Sequence, residues 1–167
     1  KIKFYKMKAL KVILKNYELF QKDPLDGVSI DFNDETPFEW KIILEGPKDS
    51  YYEYGLYNLT CKFPNNYPNF PPEVKFESSI FHPNIYTDGK VCISILHPPG
   101  DDKYNYESAE ERWRPVHTIS SILLSIISLL SSPNDESPAN IDAGKIFRED
   151  KDLFQRKVNQ YNKKNER

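Results

Sequence analysis

Prolines are concentrated in the middle of this chain, where they limit the regular secondary structure that can form. The chain has 13 prolines against 6 glycines. Eight of the prolines lie between residues 64 and 115: Pro64, Pro68, Pro71, Pro72, Pro83, Pro98, Pro99 and Pro115. Because proline cannot donate to a sheet ladder, residues 63–72 are predicted to form a stiff, irregular loop. Residues 77–117 also lack helical or strand periodicity, and irregular stretches of that length inside a domain are commonly functional.

Regular elements are predicted before this irregular part. Apolar residues at three- and four-residue spacing predict an N-terminal helix. Its apolar stripe consists of Met7, Leu10, Leu14 and Tyr17, with Ile13 and Phe20 beside it. Three short strands are predicted over residues 38–44, 57–63 and 74–76, from their aromatic and β-branched content and their alternation. Short loops between such strands favour an antiparallel meander.

Three helices are predicted after the irregular part. Thr118 is a candidate N-cap for the apolar run 119–130, which is apolar nearly all round and is expected to be buried in the core. The run is too short to cross a membrane, and its four serines make it too polar. Two further helices are predicted over residues 140–148 and 151–164.

Composition excludes several classes of protein. The 167 residues predict one domain over 1–167, large enough to fold without disulfide or metal staples. An aromatic content of 14% excludes wholesale disorder, and a net charge of −2 argues against a nucleic-acid partner. Two cysteines exclude a disulfide-rich secreted scaffold and indicate a reducing compartment, so we expect the cytoplasm and leave the nucleus open. No secretory signal is visible, although the chain opens on Lys1 and its natural N-terminus is expected to be missing.

The two cysteines have different surroundings in the sequence. Cys61 is in register with Leu59 and Phe63 on an apolar strand face, which predicts a core residue. Cys92 follows a turn signal in the irregular part, where a thiol is either a nucleophile or an incidental loop residue. A cysteine protease would also need a histidine and an orienting group, which spacing cannot test, and the known local signatures are absent. No pair among the candidate metal ligands has zinc-finger spacing: Cys61, Cys92, His82, His97 and His117.

A longer pattern surrounds Cys92. Phe81-His82-Pro83-Asn84 comes first, and seven residues separate it from Cys92. Further motifs stand in order along the chain: Trp40 with Gly46-Pro47, Phe63-Pro64-Asn65-Asn66-Tyr67-Pro68 with Pro71-Pro72, Trp113-Arg114-Pro115, and Pro133-Asn134. From about residue 8 to about residue 160, the chain resembles the ubiquitin-conjugating enzymes. That resemblance implies an α/β (α+β) fold with an N-terminal helix, a four-stranded antiparallel sheet and then three helices.

One subfamily is the best match. The stretch between Cys92 and Trp113 is longer than in the shortest relatives, and its acidic insertion near residues 97–111 holds five acids and one base. Together with the segment 135–140, it resembles the acidic-loop, G-type enzymes. The acids implied to matter are Asp101, Asp102 and Glu107. They either attract an incoming lysine or belong to a solvated surface.

The resemblance implies a role for each residue around the thiol. Cys92 accepts ubiquitin as a thioester and passes it to a lysine amine of a substrate or of another ubiquitin. Asn84 stabilises the oxyanion of that transfer or braces the loop, and His82 and Pro83 support the loop. Many relatives carry aspartate at Ser137, where a serine cannot act as a base, so the acidic insertion is the predicted substitute. Chains suited to proteasomal degradation are the expected product.

Partners and cofactors follow from the same resemblance. The implied partners are ubiquitin, the ubiquitin-activating enzyme, RING-type ubiquitin ligases and substrate proteins, with the chain a monomer. The implied contact residues are Lys8, Lys11, Lys15, Asn69, Phe70, Pro115 and Val116. Asn69 replaces a bulky apolar residue of most relatives, so either Phe70 takes over its contact or the set of ligases differs. No metal or cofactor is implied, since the activating enzyme consumes the ATP.

Three alternatives stay open at this point. The lysine-rich helix 1–22 is either a docking face or a solvated one. The chain could be a non-catalytic scaffold of the same fold, although such variants lack the cysteine. An unrelated function on a similar fold is the third alternative, and it would require the motifs to occur by chance.

Tyr54 stands where many relatives have glycine, and the sequence gives no functional reason for this difference.

Overall fold

A helix, four strands and three more helices follow one another in the computed structural model, which describes residues 2–100, 102–104 and 107–165. The helices are α1 (Ile2–Lys22), α2 (Ile119–Ser131), α3 (Ile141–Glu149) and α4 (Lys151–Asn165). The strands are β1 (Val28–Asp31), β2 (Glu39–Glu45), β3 (Leu56–Lys62) and β4 (Glu73–Phe76). This order confirms the fold that the resemblance implies. The predicted irregular part, 77–117, contains one turn of 3-10 helix over Ser94–Leu96.

The four strands form one antiparallel sheet in the order β1-β2-β3-β4, which is the predicted meander. Along β2, Trp40, Ile42 and Leu44 are buried and the residues between them are exposed. Strand β3 alternates in the same way, so one face of the sheet covers the core. Sequence patterning did not reveal β1, because its alternation extends over only four residues, too few to stand out beside the preceding turn signal.

The helix α1 is confirmed, but its predicted apolar stripe is wrong. Ala9, Ile13, Asn16 and Phe20 are the buried residues, whereas Met7 is 57% exposed and Leu14 is 37% exposed. The buried stripe is therefore rotated around the helix from the predicted one. Asn16 explains part of the error, since its side chain is buried to accept a hydrogen bond from the Ile119 amide at 2.9 Å.

The helix α2 begins as predicted. The Thr118 hydroxyl accepts from the Ser121 amide at 3.2 Å, and the Ser121 hydroxyl accepts from the Thr118 amide at 2.9 Å, which forms a capping box. Five residues of α2 are buried in the core: Ile119, Ile122, Leu123, Ile126 and Leu130. Leu124 is 53% exposed, so the helix is not buried on every side. Among the described residues, no helix combines the length and apolar character needed to cross a bilayer.

Tyr54 adopts an unusual backbone conformation between β2 and β3. Its φ angle is 68°, in the left-handed region that glycine enters at the lowest cost. Its side chain is 94% exposed. The conformation is one that glycine would adopt with less strain than tyrosine.

Candidate active site

A turn after β4 brings Cys92 to the edge of the sheet. The Gly89 amide donates to the Tyr86 carbonyl at 2.8 Å, and the Phe76 amide donates to the Gly89 carbonyl at 2.8 Å. Gly89 has a φ angle of 92°, and a Cβ atom there would collide with the Phe76 carbonyl oxygen, so the turn requires glycine. The Cys92 amide then donates to the Asn84 carbonyl at 3.0 Å. These bonds hold the thiol beside the Asn84 segment.

The two cysteines differ in accessibility. Both are free thiols, but Cys61 is fully buried in the core, as its strand register predicts, and Cys92 is half-buried. Burial raises the pKa of the Cys61 thiol well above its usual range, which suppresses the reactive thiolate. Cys92 is therefore the cysteine that a large electrophile can reach.

His82 fixes the turn that precedes Cys92. Its ring is fully buried, and its Nδ1 atom accepts from the Asn84 amide at 2.9 Å. Its Nε2 atom must then carry the proton, which it donates to the Leu129 carbonyl of α2 at 3.0 Å. Burial lowers the pKa of His82 to about 4, so the ring is neutral at physiological pH. These bonds join the turn to the C-terminal end of α2.

The Asn84 side chain is held at both ends by the loop that follows α2. Its Nδ2 atom donates to the Asn134 carbonyl at 2.6 Å, and its Oδ1 atom accepts from the Asn134 amide at 2.9 Å. The preceding carbonyl, of Pro83, accepts from the Asn140 amide at 2.9 Å. An amide NH₂ group has two hydrogens, and the bond to Asn134 occupies one of them.

The acidic insertion contacts the thiol through a histidine. The Nε2 atom of His97 lies 3.8 Å from the Cys92 sulfur, and its Nδ1 atom lies 2.8 Å from each carboxylate oxygen of Glu107. Asp102 lies 3.9 Å from Arg112. Asp101, the third acid of the prediction, lies outside the described residues.

Sequence reasoning missed the role of His97 in this cluster. It considered His97 only as a candidate metal ligand, because the spacings of five and ten residues to Cys92 and Glu107 match no local motif. The two side chains meet although ten positions separate them in the sequence. No periodic signal in an irregular segment reports such a contact.

Tyr86 is a second residue near the thiol that the sequence did not single out. The neighbouring Cys92 thiol raises the pKa of the Tyr86 hydroxyl. The side chain is 43% exposed. The available signal was its position at the start of the turn 86–89, because this turn directs the chain to Cys92.

The residues predicted to contact partners are all exposed: Lys8, Lys11, Lys15, Asn69, Phe70, Pro115 and Val116. Two buried contacts connect the segments that carry them. The Trp113 indole donates to the Pro68 carbonyl at 2.7 Å, which joins the two loops. The bond between Asn16 and Ile119 joins α1 to α2, directly after the second loop.

Known proteins with similar sequences belong to one family. Residues 12–162 match the family model described as ubiquitin-conjugating enzyme. The chain is 58% identical over 138 residues to ubiquitin-conjugating enzyme E2 7 of Arabidopsis thaliana, covering 82% of this chain and 83% of the relative. It is 53% identical over 148 residues to E2 15 of Schizosaccharomyces pombe, covering 88% and 89%. It is 48% identical over 147 residues to E2 G2 of Homo sapiens, covering 87% and 89%.

Proposed function

The chain belongs to the ubiquitin-conjugating enzyme family, in its G-type subfamily, and we propose that Cys92 is the residue on which it carries ubiquitin. Members of this family are transferases that work with ubiquitin, an activating enzyme and a ubiquitin ligase. The accessibility of the thiols is the observation that carries the proposal. Cys92 is half-buried at the end of a turn, whereas Cys61 is fully buried.

The reaction proceeds through two acyl transfers. In the first, the Cys92 thiolate attacks the C-terminal carbonyl carbon of ubiquitin, which arrives as a thioester of the activating enzyme. The bond from that carbon to Cys92 forms, and the bond to the activating enzyme's sulfur breaks. In the second, a lysine amine attacks the same carbon, the nitrogen–carbon bond forms, the carbon–sulfur bond breaks, and the proton that the amine loses ends on the Cys92 sulfur. No cofactor takes part, because ATP is consumed before ubiquitin arrives.

Asn84 has two roles in this proposal. Its bonds to Asn134 support a bracing role, because they tie the turn before Cys92 to the loop after α2. The second hydrogen of its Nδ2 atom then donates to the oxyanion that forms when the amine attacks. One such donor is typically worth about 10²–10³ in rate, provided that the donor is held in place beforehand.

The acidic insertion guides the attacking lysine in this proposal. Ser137 is exposed and has no ionisable group, so it cannot attract an ammonium group as the aspartate of many relatives does. Asp102 and Glu107 both lie beside Arg112, each with a carboxylate oxygen within 4 Å of its guanidinium. Asp101 contributes charge from the same segment. The acids therefore provide the negative potential that the position of Ser137 lacks.

The partner surface consists of the exposed contact residues on α1 and two loops. We assign the ubiquitin-activating enzyme and RING-type ligases to Lys8, Lys11 and Lys15 on α1, with the two loops beside them. Phe70 is 45% exposed and is proposed to take over the apolar contact that Asn69 does not provide. Pro115 and Val116 complete the surface, with Val116 72% exposed.

Product, compartment and assembly are proposed from the resemblance to acidic-loop enzymes. The enzyme builds polyubiquitin chains that lead to proteasomal degradation, and it acts as a monomer in the cytoplasm. The nucleus is an open alternative. Mass spectrometry of the linkage in chains built with a cognate ligase tests the product.

A charging assay tests the assignment of Cys92. Incubation with activating enzyme, ATP and ubiquitin is expected to give a thiol-sensitive adduct one ubiquitin heavier. Cys92→Ala abolishes the adduct, and Cys61→Ala, the matched control, leaves it intact. A thiol-sensitive adduct on Cys92→Ala would overturn the assignment. A panel of related modifiers in the same assay establishes whether ubiquitin is the modifier.

A further inference from the structure

His97 lies between the nucleophile and a carboxylate. The distance from its Nε2 atom to the Cys92 sulfur is 3.8 Å, which is within hydrogen-bonding reach of a sulfur atom. On the other side of the ring, Nδ1 lies 2.8 Å from both Oε1 and Oε2 of Glu107. The thiol of Cys92, the imidazole of His97 and the carboxylate of Glu107 thus contact one another in that order.

The carboxylate decides which nitrogen of the ring carries the proton. An ionised carboxylate can only accept hydrogen bonds, so Nδ1 of His97 donates to Glu107. In the neutral ring, Nε2 therefore presents its lone pair to Cys92. This tautomer is the one in which the ring can receive the thiol proton.

Glu107 is itself held in place by other donors. The Ser94 hydroxyl, in the turn of 3-10 helix, donates to Oε1 at 2.9 Å. The guanidinium of Arg112 lies 3.8 Å from Oε2, and its Nε atom donates to the Pro98 carbonyl at 2.9 Å. The side chain of Glu107 is 20% exposed. These contacts hold the Glu107 carboxylate in place, and the carboxylate in turn sets the orientation of the His97 ring.

The main chain of His97 is anchored independently of its side chain. Its amide donates to the Ser94 carbonyl at 2.9 Å, and its carbonyl accepts from the Trp113 amide at 3.0 Å. Trp113 is fully buried in the core. A substitution of the imidazole therefore leaves the position of the segment largely determined by these main-chain bonds.

We propose that His97 is a catalytic acid–base residue for both acyl transfers and that Glu107 positions it. The inference rests on the proposed function of Cys92. During charging, the thiol proton moves to Nε2 of His97, the thiolate attacks the incoming thioester, and the departing thiolate of the activating enzyme takes the proton. During discharge, Nε2 takes a proton from the attacking amine nitrogen. It then gives that proton to Cys92 as the carbon–sulfur bond breaks.

The proposal gives the acidic insertion a second task. Glu107 does not meet the lysine directly, because its oxygens already accept from His97 and Ser94. The proton acceptor that Ser137 cannot provide is supplied by the imidazole instead. The charged and titratable groups around His97 are Cys92 and Glu107 in contact, Arg112 and Asp102 behind Glu107, and Tyr86 on the thiol.

Alkylation of the uncharged enzyme tests the thiol–imidazole pair without ubiquitin. The rate of reaction with iodoacetamide is measured from pH 5.5 to 9.5 in the wild type, His97→Gln and Glu107→Gln. At pH 7 we expect His97→Gln to react about tenfold more slowly, because a thiol without a base is only a few per cent ionised there. The difference closes above pH 9, and Glu107→Gln lies between the two. His117→Gln is the matched control and keeps the wild-type profile.

Single-turnover discharge tests the transfer itself. The enzyme is preloaded with ubiquitin, and release to free lysine is followed without a ligase. We expect His97→Ala to discharge about 10²-fold more slowly at pH 7, with partial rescue by added imidazole. A residue that only supported the loop would give no rescue. Glu107→Gln lowers the rate less and moves the pH at which it is half-maximal.

The two experiments separate this inference from the proposed function. A wild type that never forms the thiol-sensitive adduct would overturn the function, while alkylation would still report on the pair. An enzyme that charges normally, with superimposable alkylation profiles and no imidazole rescue, would overturn the role of His97 and leave Cys92 as the carrier.

Discussion

Two segments contact Cys92, and they are held in different ways. The turn 82–84 is buried, and its contacts with the end of α2 and the following loop are hydrogen bonds with main-chain atoms. In the acidic insertion, His97, Glu107 and Arg112 are half-buried, and the contacts around Glu107 are made between side chains. The first is fixed by the same packing that forms the core. The second is held by ion pairs and by a histidine–carboxylate bond, so its structure is expected to be more sensitive to pH and salt.

The comparison predicts that the same kind of substitution lowers stability in the turn 82–84 and slows the reaction in the acidic insertion. In the turn, loss of a side chain leaves buried main-chain groups unpaired, and the cost appears in stability. In the half-exposed segment, water replaces the lost partners, and the cost appears in the reaction. The predictions run from the largest expected effect to the smallest.

The largest effect is expected from removing the two histidines one at a time. His82→Ala leaves the Leu129 carbonyl and the Asn84 amide without their partner, and it should lower the free energy of unfolding by about 2–4 kcal/mol. His97→Ala is the matched control, and its cost should stay below about 1 kcal/mol. Urea denaturation monitored by fluorescence measures both. Equal losses would remove the contrast between the segments.

Asn84 belongs to the buried turn 82–84, but in our proposal its side chain also donates to the oxyanion. Asn84→Ser should slow discharge onto lysine by about 10²-fold, since the oxyanion loses a donor worth that much. Charging should slow less. Single-turnover kinetics of both steps provide the measurement, with Asn159→Ser on α4 as a control for the asparagine change. Equal slowing of charging and discharge would favour the bracing role alone.

The pH dependence of stability reports the burial of His82. Its folded-state pKa is about 4, below the ordinary value of about 6.5, so the unfolded chain binds more protons between these values. The stabilisation is complete above pH 6.5 and is lost as pH falls towards 4. From pH 7 to pH 5, the wild type should lose about 2 kcal/mol more than His82→Gln.

Urea denaturation of both proteins at the two pH values gives this difference, and the carboxylates common to both cancel. If the two proteins lost the same free energy, His82 would not be the group that takes up the proton.

The smallest effect is expected at Arg112. Its guanidinium lies 3.9 Å from Asp102 and 3.8 Å from Glu107, distances typical of weak ion pairs. Arg112→Gln should lower the free energy of unfolding by about 0.5–1 kcal/mol. Arg148→Gln, which removes an arginine 4.0 Å from Asp135, is the control of similar size. A loss at Arg112 above about 2 kcal/mol would mean that the insertion is part of the cooperative core.

Much of the fold could be predicted from local patterns. The alternation along β3 predicted its buried face and the burial of Cys61, and Thr118 predicted the start of α2. The stripe of α1 was misjudged because a polar residue, Asn16, is buried by a partner 103 positions away. The edge strand β1 was missed because its alternating pattern is only four residues long.

The motifs around Cys92 identified the family and singled out His82 and Asn84, but they gave no sign of His97 or Tyr86 near the thiol. The bonds between Asn84 and Asn134 join residues 50 positions apart. The contact of His97 with Glu107 joins two residues of an irregular segment that has no periodic pattern.

The sequence by itself determined three of the four strands, the cap of α2 and the buried cysteine, because each depends on neighbouring residues and the backbone. Only the tertiary structure decided which side of α1 is buried, how Asn84 is held and which side chain lies beside the Cys92 sulfur. Those properties depend on groups brought together across the fold, at distances of a few ångströms, and no spacing along the chain encodes them.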